Sequence, residues 1–158
     1  FIAIGSNDTF LEFNFGSDQI NPSTGSAARN DAIDLGSSAA QFDDIFATTG
    51  SIQSSDSNRK NTITDSDLGL DFINRLSPKS YIYNGKTRVH YGLIAQDVES
   101  VLSDINKSTS KFAGFVKDEE ASYYGLRYQE FISPMIQAIK DLKAEVDTLK
   151  AEVTKLKG

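Results

Sequence analysis

A serine and a lysine between two unlike halves of the chain have the residue types of an activated nucleophile. Ser55 and Lys60 are separated in the 158-residue sequence by the polar stretch Asp56-Ser57-Asn58-Arg59. A serine hydroxyl becomes a nucleophile when a base takes its proton, and a lysine is such a base only in its neutral form. Because burial lowers the pKa of a lysine, a Ser-Lys pair can replace the Ser-His-Asp arrangement. At this boundary the pair suggests a chain that cuts itself.

The spacing of the pair limits how the two side chains can meet. Five residues of extended strand span roughly 17 Å, and five residues of helix rotate by roughly 500°, so neither regular structure brings the side chains together. Ser55 and Lys60 therefore meet either across a turn, which Asp56, Ser57 and Asn58 favour, or between two copies of the chain. The spacing alone is common in proteins, and a polar linker is the plain alternative.

Composition excludes several classes of function. The chain has no cysteine and one histidine, which rules out disulfides, thiol catalysis and multi-His metal sites within one chain. A net charge of −6 argues against binding to nucleic acid or to an anionic membrane. No run of about 18 apolar residues is present, so we expect no membrane insertion. Asp65-Ser66-Asp67 could bind a metal, but the start of a helix explains it better, and we expect no metal and no cofactor.

Residues 1–54 predict short strands joined by turns rather than a unit with its own core. Apolar residues at positions 11, 13 and 15 alternate with polar ones, which predicts a strand with one buried face. This half is rich in small and polar residues, and it would gain most by packing against copies of itself. Because the sequence begins with Phe1, we expect it to be part of a longer chain.

Residues 55–130 predict a compact mixture of helices and strands. Ser66 or Asp67 is predicted to cap a helix that Pro78 ends, and Asn84-Gly85 is a strong hairpin turn. The apolar face of the first helix contains Leu68, Phe72, Ile73 and Leu76. The other predicted elements are strands at 81–83 and 89–91, a helix with Ile94, Val98, Val101 and Leu102 on one face, and strands at 112–116 and 123–128.

From Ile132 onward the apolar residues follow a heptad repeat. The seam, defined as the two apolar positions of each heptad, consists of Ile132, Met135, Ile139, Leu142, Val146, Leu149, Val153 and Leu156. Glu145 and Glu152 each precede a lysine, Lys150 or Lys157, by the offset that pairs opposite charges between parallel helices. We predict a parallel coiled coil at about 130–157, and the alternative is an amphipathic helix lying on its own domain. This seam composition favours two strands in model peptides, so the helix alone does not predict three.

Several separated motifs resemble one family, the intramolecular chaperones of endosialidases known as peptidase S74. Residues 41–52 followed by Ser55-Asp56 and Lys60 resemble the junction at which this family is attached to phage tail fibres and tailspikes. Residues 70–81 (LDFINRLSPKSY) and 90–99 (HYGLIAQDVE) resemble its two internal motifs, and Tyr128 with residues 135–142 (MIQAIKDL) resembles its closing helix. The resemblance spans about residues 42 to 145, and the architecture is similar to that of the long tail fibre of a siphophage.

The resemblance implies a fold and a reaction. The fold class would be α+β, as a homotrimer with a β-rich intertwined fibre tip at 1–54 and a chaperone domain at 55–158. Members of the family trimerise, help the upstream fibre to fold and cleave themselves just before the serine. By position, Ser55 would be the nucleophile, Lys60 the base and Ser54–Ser55 the cleaved bond. Arg59 stands where the family often has Leu, so we expect altered packing around Lys60 and an altered cleavage rate.

Further expectations concern supporting residues and partners. Asp56, His90 and Gln96 are possible supporting residues, although His90 fits the hairpin better and Gln96 could instead belong to a helix cap. The implied partners are two further copies of the chain, the upstream fibre as folding client and a host cell-surface receptor for the mature fibre. Assembly would take place in the host bacterial cytoplasm, and the virion tail would keep the fibre without the cleaved domain. The alternatives are a permanent, non-catalytic trimerisation module and a receptor-binding fibre tip.

Overall fold

The computed structural model describes residues 2–28, 33–37, 40–42, 45, 55–119 and 122–157. The chain divides into two compact units, Phe1–Thr49 and Gly50–Gly158. The boundary predicted at 54/55 lies slightly further along the chain, and Ser54 falls outside the described residues.

The first unit contains an antiparallel sheet of order β1-β2-β3, formed by β1 Ile2–Ser6, β2 Thr9–Asn14 and β3 Gln19–Ser23. The strand predicted around residues 11, 13 and 15 is therefore present. Its predicted face is only partly covered in the single chain, because Phe13 is half-buried but Leu11 and Phe15 are 40% and 67% exposed. Phe10, on the opposite face, is also half-buried, since the turn at Gly25 lies against its ring. Alternation along a strand identifies two faces, but a neighbouring segment decides which of them is covered.

The second unit combines helices with two antiparallel two-stranded sheets. Its elements are α1 Leu70–Arg75, β4 Lys79–Ile82, β5 Val89–Gly92, α2 Ala95–Asp104, β6 Phe115–Asp118, β7 Tyr123–Leu126 and α3 Ile132–Lys157. The pairs are β4 with β5 and β6 with β7. The predicted hairpin is confirmed, and Gly85 has a φ of 75°, which favours glycine in its turn. These elements give the α+β class expected from the sequence.

The core of the second unit is built on a triangle of phenylalanine rings. Phe72 lies 5.8 Å from Phe112 and 6.1 Å from Phe131, and Phe112 lies 5.2 Å from Phe131, measured between ring centroids. The predicted apolar face of α2 packs beside them, with Val98 and Leu102 fully buried. The core thus joins α1, α2 and the segment that leads into α3.

The start of α1 differs from the sequence prediction. Neither Ser66 nor Asp67 caps the helix, because the Ser66 hydroxyl donates to the Leu68 carbonyl and Asp67 pairs with Lys107. The cap comes instead from α3, where the Asp141 carboxylate accepts the Leu70 N–H at 3.0 Å. A Cβ at residue 69 would lie 2.4 Å from that carboxylate, so Gly69 makes the close approach possible.

Helix α3 packs on its own unit through a face that does not include the seam. Pro134 and Ala138 are buried and Gln137 is half-buried, whereas every seam residue is exposed, from 41% at Val146 to 86% at Leu156. The alternative in which the seam lies on its own domain therefore does not describe the single chain. Within the described ranges, no helix has both the length and the apolar character needed to cross a bilayer.

Candidate functional site

A short turn brings the side chains of Ser55 and Lys60 together. Residues Ser57–Arg59 form a single 3₁₀ turn, and the Asp56 carboxylate accepts the Asn58 N–H at 3.0 Å at its start. The chain leaves the turn on extended backbone at Lys60, and its Nζ donates to the Ser55 hydroxyl oxygen at 2.7 Å. Of the two routes left open by the sequence, the structure contains the contact across a turn within one chain.

The backbone at Ser55 has an unusual conformation. Its φ is 124°, in the region that favours glycine and that residues with a Cβ seldom adopt. Such a conformation costs on the order of 1–3 kcal/mol and persists only where the surrounding structure imposes it. Strain is therefore located at the residue whose amide nitrogen belongs to the predicted scissile bond.

The Ser55 hydroxyl oxygen and Lys60 Nζ are close enough for a proton to pass between them. Base catalysis requires a neutral amine that accepts the serine O–H. Both side chains are exposed in the single chain, and a lysine loses its proton near neutral pH only where burial disfavours the charged form. The geometry of a nucleophile–base pair is thus present without the apolar cover that would activate it.

The segment between Lys60 and α1 is fixed to the body of the second unit at its far end. Leu68 is buried in the core, and Asp67 pairs with Lys107 next to the end of α2. This hydrogen bond and the positive charge of Lys107 lower the pKa of Asp67. These contacts connect the position of the Ser-Lys turn to α2 and to the core.

The cap that Asp141 provides for α1 was not predicted from the sequence. Its carboxylate accepts from the Leu70 N–H and also from the Gln137 side chain at 2.8 Å, and both bonds lower the pKa of Asp141. Gln137 and Asp141 are one turn apart on α3, away from the seam. This polar pair on an otherwise solvated helix was the sequence signal for a contact with another element. The sequence around it does not indicate that the partner would be α1.

The possible supporting residues lie in three different places. Asp56 caps the 3₁₀ turn and so shapes the loop that contains the pair. His90 lies in the hairpin, with its ring 4.9 Å from that of Tyr83 and 5.9 Å from that of Tyr81. Gln96 is exposed in the first turn of α2, whose N-terminus has no side-chain cap, so the capping role considered for it is wrong.

The first residue of the Ser-Lys turn is also the first residue of a family match. Residues 55–107 match the model of a family described as the chaperone of endosialidase. This segment is therefore similar to the endosialidase chaperones. The resemblance seen in the motifs is confirmed for this range, which is shorter than the span of 42 to 145 over which the motifs extend. No curated protein sequence matches the chain significantly.

A solved structure shares the fold of the chain. It is the carboxy-terminal domain of the bacteriophage T5 L-shaped tail fibre with its intramolecular chaperone domain, at a TM-score of 0.57 and 14% sequence identity. The comparison covers 92% of this chain and 44% of the solved T5 chain, so the present chain spans less than half the length of the solved one.

Proposed function

We propose that residues 55–158 are an intramolecular chaperone that assembles three copies of a phage tail fibre chain and then separates from the fibre by cutting the Ser54–Ser55 bond. The observation that carries the proposal is the 2.7 Å contact between Lys60 Nζ and the Ser55 hydroxyl at the residue where the family match begins. The shared fold with the T5 fibre and chaperone structure supports a fibre as the folding client.

The proposed cleavage proceeds through an ester. The Ser55 hydroxyl oxygen attacks the carbonyl carbon of Ser54, and its proton passes to the neutral amine of Lys60. The bond between that carbon and the Ser55 nitrogen breaks, and Lys60 returns the proton to the nitrogen. An ester then joins the Ser54 carbonyl to the Ser55 oxygen. Water hydrolyses this ester, which leaves a carboxyl group on Ser54 and restores the Ser55 hydroxyl.

The exposed seam of α3 supports assembly as the first step. A continuous apolar stripe left uncovered along a helix is typical of a surface that binds another chain. When the C-termini of three chains are held together, the upstream segments are at a high effective concentration. Their pairing in register then becomes an effectively intramolecular step. Cleavage afterwards removes the route back, so that the fibre is kinetically trapped.

Assembly also offers the cover that the Ser55–Lys60 pair needs. Both side chains are exposed in the single chain, and an apolar surface of a neighbouring copy would disfavour the charge on Lys60. Cleavage then reports that assembly has taken place.

The decisive experiment measures the intact mass of the purified protein and its fragments over time. The parent chain is expected to yield two fragments with a break at Ser54–Ser55, whereas Ser55→Ala stays full length. Ser57→Ala is the matched control, because it removes a neighbouring hydroxyl without touching the pair. A parent chain that stays intact after assembly, or cleavage in Ser55→Ala at the parent rate, would contradict the proposed chemistry.

The second candidate is a permanent trimerisation module with an inert pair. The exposure of Ser55 and Lys60 favours it, because an uncovered lysine is a poor base at neutral pH. In that case the parent chain is trimeric and indefinitely uncut.

For a receptor-binding tip at 1–54, the test is whether the cleaved fibre part alone still binds host cells.

A further inference from the structure

An apolar hollow lies beside the first turn of α3 in the second unit. Its volume is about 270 Å³, and its walls include Ile73, Leu76, Leu93, Tyr128, Phe131 and Met135. The main polar atom there, the Tyr128 hydroxyl, already accepts the Leu93 N–H at 2.8 Å. Small-molecule sites are commonly about 300–1,000 Å³ with converging polar groups, so this smaller apolar hollow suits a side chain better.

The hollow is continuous with the seam of α3. Met135 belongs both to the seam and to the wall of the hollow, and it is 44% exposed. Phe131, directly before the helix, also lines the hollow and is 3% exposed. A second copy that covers the seam would therefore reach the rim of the hollow.

The charge pattern of α3 indicates which residue of a second copy would reach it. In a parallel coiled coil, Glu145 and Glu152 would pair with Lys150 and Lys157 of the neighbouring helix, at an offset of five residues. Two heptads earlier, the same offset connects Phe131 to Ile136. Ile136 lies outside the seam and is 51% exposed in the single chain. The apolar pair Phe131 and Ile136 thus occupies the place that charged pairs occupy further along the helix.

We propose that Ile136 of one copy inserts into the hollow of the neighbouring copy, so that each chaperone body is fixed to the next around the trimer. This inference rests on the proposed assembly and adds a defined contact between a helix and the body of its neighbour. It makes the interface more than a coiled coil, because the hollow is built by α1, the β5–α2 connection and the segment before α3. It also explains why an isoleucine occupies a helix position where lysines follow in the later heptads.

Cysteine cross-linking tests the contact, because the chain contains no cysteine of its own. The variant Ile136→Cys with Leu76→Cys is prepared on a Ser55→Ala background and treated with a short bismaleimide. Insertion between copies predicts covalent dimers and trimers on a denaturing gel. The matched control replaces Lys140 instead of Ile136, since position 140 lies on the outward side of the same helix. The single variant Ile136→Cys is expected to remain monomeric on the gel.

Light scattering before cross-linking separates the possible failures. If the Ser55→Ala parent is trimeric but the double variant gives only monomers, or no more cross-linked species than the Lys140→Cys control, this inference alone is overturned. If the parent is monomeric, the proposed assembly fails and the inference fails with it. A second variant, Ile136→Glu, is expected to weaken the trimer by at least tenfold in dissociation constant, whereas Lys140→Glu leaves it unchanged. An equal effect of both would also overturn the inference.

Discussion

At the scale of single residues, the proposed cleavage depends on the Ser55–Lys60 contact. The 3₁₀ turn places Lys60 Nζ 2.7 Å from the Ser55 hydroxyl, and the backbone of Ser55 is strained at a φ of 124°. A merely structural contact would need only a hydrogen-bond donor at position 60. A catalytic contact needs a donor that can lose its proton.

Lys60→Arg distinguishes these two roles. Arginine keeps the positive charge and the donor capacity but stays protonated in proteins, so it cannot serve as a base. We expect Lys60→Arg and Lys60→Ala to abolish cleavage to the same extent, with unchanged trimers in light scattering and intact mass in mass spectrometry. Adding a chelator to the parent is expected to have no effect on the rate. Cleavage in Lys60→Arg at the parent rate would exclude Lys60 as the base.

Asp141 provides a pH-dependent contact between α3 and the start of α1. The Leu70 N–H and the Gln137 side chain lower its pKa below the ordinary value of 3.8. Because the pKa is lower in the folded state than in the unfolded state, the stabilisation is fully present above that ordinary value and is lost as the pH falls through the lowered pKa. We expect Asp141→Ala to be less stable than the parent in urea at neutral pH, with the difference shrinking in acid.

Asp147→Ala is the control for Asp141→Ala, because Asp147 pairs with Lys143 within the same helix. Exposed pairs of this kind contribute about 0–1 kcal/mol, so a small loss is expected. Asp141→Asn should retain part of the cap through its side-chain oxygen but lose the dependence on pH. Equal urea midpoints for Asp141→Ala and the parent at neutral pH would contradict a capping role.

At the scale of elements, the second unit divides its apolar residues between a buried core and an exposed seam. Phe72 is 2% exposed and contacts the rings of Phe112 and Phe131, whereas Leu142 of the seam is 47% exposed. The core stabilises the fold of the second unit. From Ile139 onward the seam is exposed on α3 and is available to another copy.

Alanine substitutions in the core and in the seam should therefore change different measured properties. Phe72→Ala removes a fully packed ring and is expected to lower the free energy of unfolding of the second unit by about 3–5 kcal/mol. Leu142→Ala is expected to leave the fold of the monomer intact and to weaken only association. Circular dichroism in urea reports the first effect and light scattering at several concentrations the second. Loss of the monomer fold in Leu142→Ala would mean that the seam belongs to the core.

At the scale of the whole molecule, the proposal connects assembly to cleavage. The pair at Ser55 and Lys60 is exposed in the single chain, and the seam is exposed on α3. Both observations have one physical consequence, since a neighbouring copy would cover apolar surface on the helix and could shield the lysine from water. Cleavage is then expected only after the chains have come together.

A triple substitution in the seam tests this order of events. Replacing Leu142, Val146 and Leu149 with Asp puts like charges at the helix interface, where desolvating each is costly. We expect monomeric or aggregated protein that stays uncut. The control carries the same number of charges on the outer face, as Ala144→Asp, Thr148→Asp and Ala151→Asp, and should assemble and cut normally. Monomers of the seam variant that cut at the parent rate would show that cleavage does not wait for assembly.

The sequence alone determined the features that depend on neighbouring residues. Asn84-Gly85 predicted the hairpin, the spacing of Val98 and Leu102 predicted the buried face of α2, and Asp56, Ser57 and Asn58 favoured the turn that joins Ser55 to Lys60. Each of these follows from backbone preferences or helical periodicity within a few residues. The motifs that resemble the endosialidase chaperones come from the same local information.

Only the tertiary structure decided which groups from distant parts of the chain meet. Asp141 caps α1 from 71 residues away, which is why the local cap expected from Ser66 or Asp67 was wrong. The turn at Gly25 likewise covers the ring of Phe10 on β2, and the side of α3 that packs on the body was set by α1. Periodicity shows that a segment has two faces, but the choice between them depends on which surfaces the rest of the chain leaves uncovered. That choice is a property of the packed chain, and it leaves the seam of α3 exposed.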